Sequence, residues 1–135
     1  MRAAMGRRSR AVFDDLWRAY AEGRIDDALG LIASDCELRL AGSARSYRGH
    51  DGVRALVADS RRWKTLTVSY DEVREVGERC VVGIGRAVGI GPDGGTGLDR
   101  PVAWVGEFRA GRLVRGTAFR DAAAALRYAG EASPA

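Results

Sequence analysis

The sequence predicts an α+β domain in which three helices cover the concave face of one curved antiparallel sheet of four to six strands. Two observations carry that expectation. Between residues 79 and 121 the chain reads as three long strands in succession, Cys80–Gly91, Leu98–Ala110 and Arg112–Asp121. Around them stand segments with helical apolar spacing, giving the order ααβ(β)αββββ with a helical tail.

The joints of the meander identify its strands. Gly91-Pro92-Asp93-Gly94-Gly95 is dense turn chemistry, because glycine supplies positive φ and proline presets φ near −65°. Ala110-Gly111 is a two-residue hairpin turn between apolar runs. Links this short make adjacent strands antiparallel, and strands this long make a twisted, curved sheet. One face of such a sheet has to be covered.

The preceding elements supply the cover. Val12, Phe13, Leu16, Trp17 and Tyr20 lie on one helical stripe, from Ser9 or Arg10 to about Glu22, with Gly23 in the closing C′ position. Ile25, Ala28, Leu29 and Ile32 predict a second helix over 25–33, with Asp26 and Asp27 in its first turn, where the helix dipole favours them. Cys36, Leu38 and Leu40 alternate with charged residues, a half-buried strand. Residues 41–44 form a loop and Tyr47-Arg48 a short strand. Asp51 is placed to N-cap a third helix that reaches about Trp63. Leu66, Val68 and Tyr70 begin another alternating strand, which continues to Val76. Ala122–Tyr128 is a terminal helix stopped by Gly130. The domain is expected to span residues 9–130, with 1–8 a disordered basic tail and 131–135 a second tail.

Composition narrows the function. A chain of 135 residues, 46% hydrophobic and 30% charged, suits one globular domain with its own core. No apolar run approaches the ~20 residues of a membrane span. The first ten residues lack the apolar stretch of a secretion signal, so a cytoplasmic location is expected. Arg2, Arg7, Arg8 and Arg10 account for the net charge of +4, which leaves 18 basic and 18 acidic residues in the rest. A basic tail is not a basic face, so nucleic acid is not an expected partner. Lys64 is the one lysine among 22 basic residues, a bias that points to a GC-rich genome rather than to a role. Cys36 and Cys80 stand apart in apolar strands, with no Cys/His cluster; free buried thiols are expected, with no metal, cofactor or disulfide. The Gly89–Gly97 stretch is a hairpin tip, because no lysine or helix follows it as a phosphate loop requires.

Four segments in this order resemble the nuclear transport factor 2-like superfamily, in particular its SnoaL-like branch. They are the aromatic-rich first helix with Gly23 and Ile25-Asp26-Asp27-Ala28-Leu29; Tyr47-Arg48-Gly49-His50-Asp51-Gly52-Val53; Leu98-Asp99 with Pro101-Val102-Ala103-Trp104-Val105; and Gly111 to Val114, followed by Asp121, Ala125-Leu126 and Gly130. The resemblance covers about Val12 to Gly130. It implies a cone-shaped fold with a deep pocket, commonly dimeric through the outer face of the sheet. It does not imply one activity, since relatives include isomerases, cyclases, epoxide hydrolases and proteins that only bind.

The family's acid–base sets can be sought residue by residue. Ketosteroid isomerase-like members use a tyrosine in the first helix and two aspartates on strands. Aligned on Gly23 and Phe108, those positions hold Leu16, Leu40 and Gly106. Cyclase-like and epoxide hydrolase-like members need an inward acid in the last strand, where Ala118 stands. Dehydratase-like members use paired histidines, and His50 is the one histidine present. The usual carboxylates are missing.

Strand parity anchored on Val82 and Ile84 turns Arg86 inward, and the same exercise turns Trp104, Gly116, Ala118 and Arg120 inward. Thr117 and Phe119 then face outward, toward a second copy. Trp17, Tyr20 and Trp63 are candidate aromatic walls, although each tryptophan also reads as core. The expected ligand-binding set is Trp17, Tyr20, Trp63, Arg86, Trp104 and Arg120. Arg86 either anchors a polar or anionic ligand end or pairs with Glu37 or Glu107, because an unpaired buried charge is costly. The expected function is a pocket that binds a small, largely apolar molecule. The alternative is a SnoaL-like cyclase, isomerase or hydrolase with a non-standard set drawn from Tyr20, Tyr47, His50 and Arg86. A third reading, a dimerisation or adaptor domain, requires a pocket filled by side chains.

Overall fold

The computed structural model describes residues 8–40, 46–60 and 65–132. Its elements run α1 (Ser9–Ala21), α2 (Ile25–Leu29), β1 (Ile32–Leu40), β2 (Ser46–Arg48), α3 (Gly49–Ser60), β3 (Thr65–Val76), β4 (Cys80–Ile90), β5 (Thr96–Arg109), β6 (Arg112–Phe119) and α4 (Ala122–Ala132). The strands form one curved, unclosed sheet in the order β2-β1-β6-β5-β4-β3. The helices α1, α2 and α3 lie on its concave face, as the sequence predicts. The fourth helix, α4, packs on the other face.

The meander forms as read. β4 and β5 pair from Cys80↔Glu107 to Ile90↔Thr96, and β5 and β6 from Ala103↔Phe119 to Arg109↔Arg112. At the second joint Ala110 and Gly111 both have positive φ, 53° and 78°, the backbone of a type I′ turn. At the first, Gly91 N–H donates to the Gly95 carbonyl at 2.8 Å and Gly95 N–H to Asp93 Oδ1 at 3.0 Å.

Several boundaries differ from expectation, each for a tertiary reason. The second helix stops at Leu29, and Ile32 pairs instead with Leu113 of β6. The pair β1–β6 is parallel, whereas the other strand pairs are antiparallel. No hairpin links these two strands, so no turn dictates their direction. Asp51 lies in the first turn of α3 rather than capping it, since the helix opens at Gly49. The last helix runs to Ala132, past Gly130. Residues 1–7, 41–45, 61–64 and 133–135 lie outside the described residues, and with them Trp63, most of the basic tail and the end of the second tail.

Two apolar layers hold the sheet. On the concave side Val12, Phe13 and Leu16 of α1 pack with Ile32, Val81, Phe108 and Leu113. On the convex side Ala125 and Ala129 of α4 sit over Cys80, Val82, Ala103 and Val105. Full burial of a side chain such as Val, Leu or Phe contributes about 1.5–3 kcal/mol. The first part of β4, from Cys80 to Ile84, is thus covered on both faces. Cys36 and Cys80 are buried thiols. Burial, with Asp35 and Glu37 on either side, pushes the Cys36 thiol up to about 12, so it stays protonated near neutrality.

Candidate functional site

The sheet curves around a cavity of about 230 Å³. Its wall is built from alternating strand residues, because every second side chain faces the helices. These are Leu66, Val68 and Tyr70 on β3, Val102 and Trp104 on β5, and Gly116 and Ala118 on β6, with Leu38 from β1. The helices add Leu16, Trp17 and Tyr20 from α1, Ile25 and Ala28 from α2, and Val53, Leu56 and Val57 from α3; Tyr47 of β2 completes the wall.

Glycines make room for the rings. A Cβ at Gly116 would stand 2.5 Å from Trp104 Cζ2, and one at Gly106 2.7 Å from Trp104 Cζ3. A Cβ at Gly83 would stand 2.7 Å from the Tyr70 ring and 2.8 Å from Phe13 Cζ. The indole and phenol rings therefore lie flat on a sheet stripped of side chains beneath them. Trp17 meets Trp104 at 5.3 Å and 90°, Tyr70 at 5.2 Å and 78°, and Tyr20 at 5.6 Å and 85°. Such edge-to-face contacts are the favoured aromatic geometry.

The electrostatics are unusual for a catalytic site. Among the described lining residues there is no carboxylate and no imidazole. The charged residue among them, Arg39, is exposed and registers with Thr117 of the convex-facing row. Two buried polar atoms, Trp17 Nε1 and Tyr70 Oη, have no hydrogen-bond partner among the described residues. Burial, with Tyr20 nearby, pushes the Tyr70 phenol far above its ordinary range, so it remains an O–H donor. The Tyr47 hydroxyl donates to Asp59 Oδ2 at 2.8 Å, joining β2 to α3.

The expected site residues separate into two groups. Trp17, Tyr20, Tyr47 and Trp104 stand together in the cavity wall. His50 does not: its Nε2–H donates to the Ile32 carbonyl at 2.8 Å, tying the start of α3 to β1. Arg120 follows β6, is exposed and lies outside the lining. Arg86 requires the largest correction. Val82 and Ile84, the anchors of the inward parity, pack beneath α4, so Arg86 in the same row lies on the convex face. There its side chain is 51% exposed and pairs with Asp99 at 2.8 Å, not with Glu37 or Glu107. Those two carboxylates instead share Arg115, with Arg48 also reaching Glu37 and Tyr128 donating to Glu107 at 2.6 Å.

The reason is the double coverage of β4. Apolar character marks a buried face only when the other face is wet, and between Cys80 and Ile84, beneath α4, both faces of β4 are dry. The concave row is Val81, Gly83, Gly85 and Ala87, small where the rings approach. That alternation of glycine was the available signal. Tyr70 was missed as a site residue although it shares the apolar row of Leu66 and Val68. Arg86→Met is accordingly expected to change stability by less than about 1 kcal/mol, the range for an exposed ion pair. A melting curve that fell by several degrees would contradict this placement.

The outward pair Thr117 and Phe119 is also unavailable to a second copy in the form expected. Thr117 is 4% exposed, and Phe119 packs on Tyr128 of α4 with ring centroids 5.5 Å apart.

A family model described as a SnoaL-like domain matches residues 13–116. No curated protein matches the chain. Among solved structures, the chain is similar to an NTF2-like protein from Burkholderia thailandensis, at 23% identity over 89% of this chain and 98% of that one, with a TM-score of 0.73. It is similar to TerC co-crystallised with polyporic acid, at 17% identity over 88% and 95%, TM-score 0.72. It is also similar to RV0760c from Mycobacterium tuberculosis in complex with estradiol-17beta-hemisuccinate, at 16% identity over 82% and 91%, TM-score 0.70.

Proposed function

The chain belongs to the SnoaL-like domain family, with the nuclear transport factor 2-like fold, and we propose that it binds a small, largely apolar molecule in the concave cavity without carrying out the family's carboxylate chemistry. One observation carries this reading: the cavity wall is apolar and aromatic, and its described residues offer no carboxylate or imidazole to move a proton. General acid–base catalysis needs a group that titrates near the working pH. Tyr70, pushed upward by burial, is not such a group. A cavity of about 230 Å³ walled by rings suits a flat cyclic ligand, whose burial is driven by the hydrophobic effect. Polycyclic ligands held by structural neighbours support the same class.

The test is equilibrium dialysis with fluorenone, a flat neutral tricyclic probe. Saturable binding of one molecule per chain is expected. Ala118→Leu puts three more carbons into the wall and should weaken binding by at least about tenfold, or 1.4 kcal/mol, with circular dichroism unaltered. Absence of saturable binding to the parent protein would end this reading. The same reading places the protein in the cytoplasm as a homodimer through the part of the convex face that α4 leaves open, near Val88 and Ile90. Sedimentation equilibrium should then give twice the chain mass of 14.5 kDa.

A further inference from the structure

The cavity wall contains two hydrogen-bond donors that nothing among the described residues satisfies. Trp17 Nε1 and Tyr70 Oη are each closed off from solvent and each lack a partner. Leaving a polar group buried and unpaired forfeits its hydration with nothing in return. Two such atoms on neighbouring rings, with centroids 5.2 Å apart, are a concentrated cost within one aromatic cluster. Leu16, Val68 and Val102 of the same wall are hydrocarbon, and Tyr20 adds a further phenol against Trp17.

The chemistry of the pair is one-sided. An indole N–H can only donate. The Tyr70 phenol, held protonated by its burial, donates as well. Two donors on adjoining rings can be served by one acceptor with two lone pairs. A carboxylate is excluded by the lack of a compensating cation: Arg86 is on the opposite face, and Arg39 is exposed. An anion without a counter-charge in a hydrocarbon wall carries a far larger desolvation cost than a neutral oxygen.

We propose that the ligand presents a neutral carbonyl-type oxygen, as in a ketone, quinone or lactone, to Trp17 Nε1–H and Tyr70 Oη–H. The proposal rests on the pocket-binding reading above and names the ligand class of that site. The two rings meet edge to face in the wall both line. Trp17 Nε1 turns with the ring about Cβ–Cγ, whereas Tyr70 Oη lies on that axis and reaches the cavity only by a swing of the ring about Cα–Cβ, so ligand entry is coupled to that swing. The oxygen then satisfies both donors in a low-dielectric site, where hydrogen bonds are strong.

Three tricyclic probes separate the possibilities: fluorenone, which carries the neutral carbonyl; fluorene, which has the same ring frame without it; and fluorene-9-carboxylate, which is anionic. In equilibrium dialysis the expected order is fluorenone tightest, by about tenfold over fluorene, with the carboxylate weakest. Tyr70→Phe should reduce the fluorenone-to-fluorene ratio to between one and three, and Trp17→Phe should reduce it likewise. The carbonyl stretch of bound fluorenone should lie at lower frequency than in hydrocarbon solvent and should move back in Tyr70→Phe. The melting temperature of Tyr70→Phe without ligand should be no lower than that of the parent, because the hydroxyl removed has no partner. Equal binding of fluorenone and fluorene would overturn the donor-pair proposal while leaving pocket binding intact. Preference for the carboxylate would overturn the neutral-oxygen assignment. Failure of all three to bind would overturn the pocket reading and this proposal together. A marked fall in the melting temperature of Tyr70→Phe would show that the hydroxyl is satisfied by the protein, and would also overturn it.

Discussion

Gly85→Ala is expected to destabilise the protein by at least about 3 kcal/mol, at or beyond the upper end of overpacking effects. A Cβ at this position would stand 1.7 Å from the Ser69 carbonyl oxygen, 2.7 Å from its carbon and 2.8 Å from Tyr70 Cα. All three are backbone atoms, so no rotamer change relieves the contact. The close approach arises where the β3–β4 register shifts between Tyr70 and Glu72, a bulge that presses β3 against its neighbour. Accommodating the methyl group means parting β3 from β4 there, and Tyr70 moves with it. Urea denaturation should show the loss as a lower midpoint, and ligand binding should fall as well. Gly130→Ala gives the opposite control. It lies within α4 with nothing inside 4 Å of the added carbon, so helix propensity alone should stabilise by about 0.5–1 kcal/mol. A Gly85→Ala protein as stable as its parent would mean that the bulge is placed wrongly.

Phe13→Ala should cost about 3–5 kcal/mol, the range for deleting a buried aromatic side chain. Phe13 is 2% exposed and contacts three rings of the cavity wall, with centroids 6.4 Å from Trp17, 5.5 Å from Tyr70 and 5.7 Å from Trp104. It also abuts Gly83, so its removal leaves a void against bare backbone. A domain of this kind has only about 5–15 kcal/mol of stability in total. The near-ultraviolet circular dichroism of the tryptophans should weaken at temperatures where the far-ultraviolet signal persists, because the rings lose the side chain that fixes their angles. A midpoint shift worth less than about 1 kcal/mol would show that the rings hold one another without Phe13.

Much of this structure is legible in the residues themselves. The stripe Val12, Phe13, Leu16, Trp17 and Tyr20 needs only the helical period to be read. Ala110-Gly111 needs only the knowledge that hairpin turns demand positive φ. The inward placement of Trp104, Gly116 and Ala118 follows from alternation along strands whose neighbours are fixed by short links. The missing catalytic carboxylates at Leu40, Gly106 and Ala118 are visible as soon as the family pattern is laid on the chain.

Other features depend on contacts between residues far apart in sequence. Ile32 and Ala33 fit a helix as well as a strand, and the edge of β6 beside them decides for strand. The direction of β1 against β6 has no local determinant. Tyr70 becomes part of the cavity because Gly83 and Gly85 leave space on the next strand. That its hydroxyl and the Trp17 N–H lack partners is a property of the packed cluster, not of either residue.

Arg86 marks the boundary most clearly. The sequence by itself determined the elements, the curved sheet, the side of the three covering helices and the aromatic character of the cavity, because each rests on a period or a turn confined to a few neighbouring residues. The face of β4 was decided only by the tertiary structure. With α1 on one side and α4 on the other, both rows of its first half are shielded from water, and there hydrophobicity no longer distinguishes inside from outside. Steric fit does: the row that meets Phe13 and Tyr70 must be glycine, and Arg86 takes the other face.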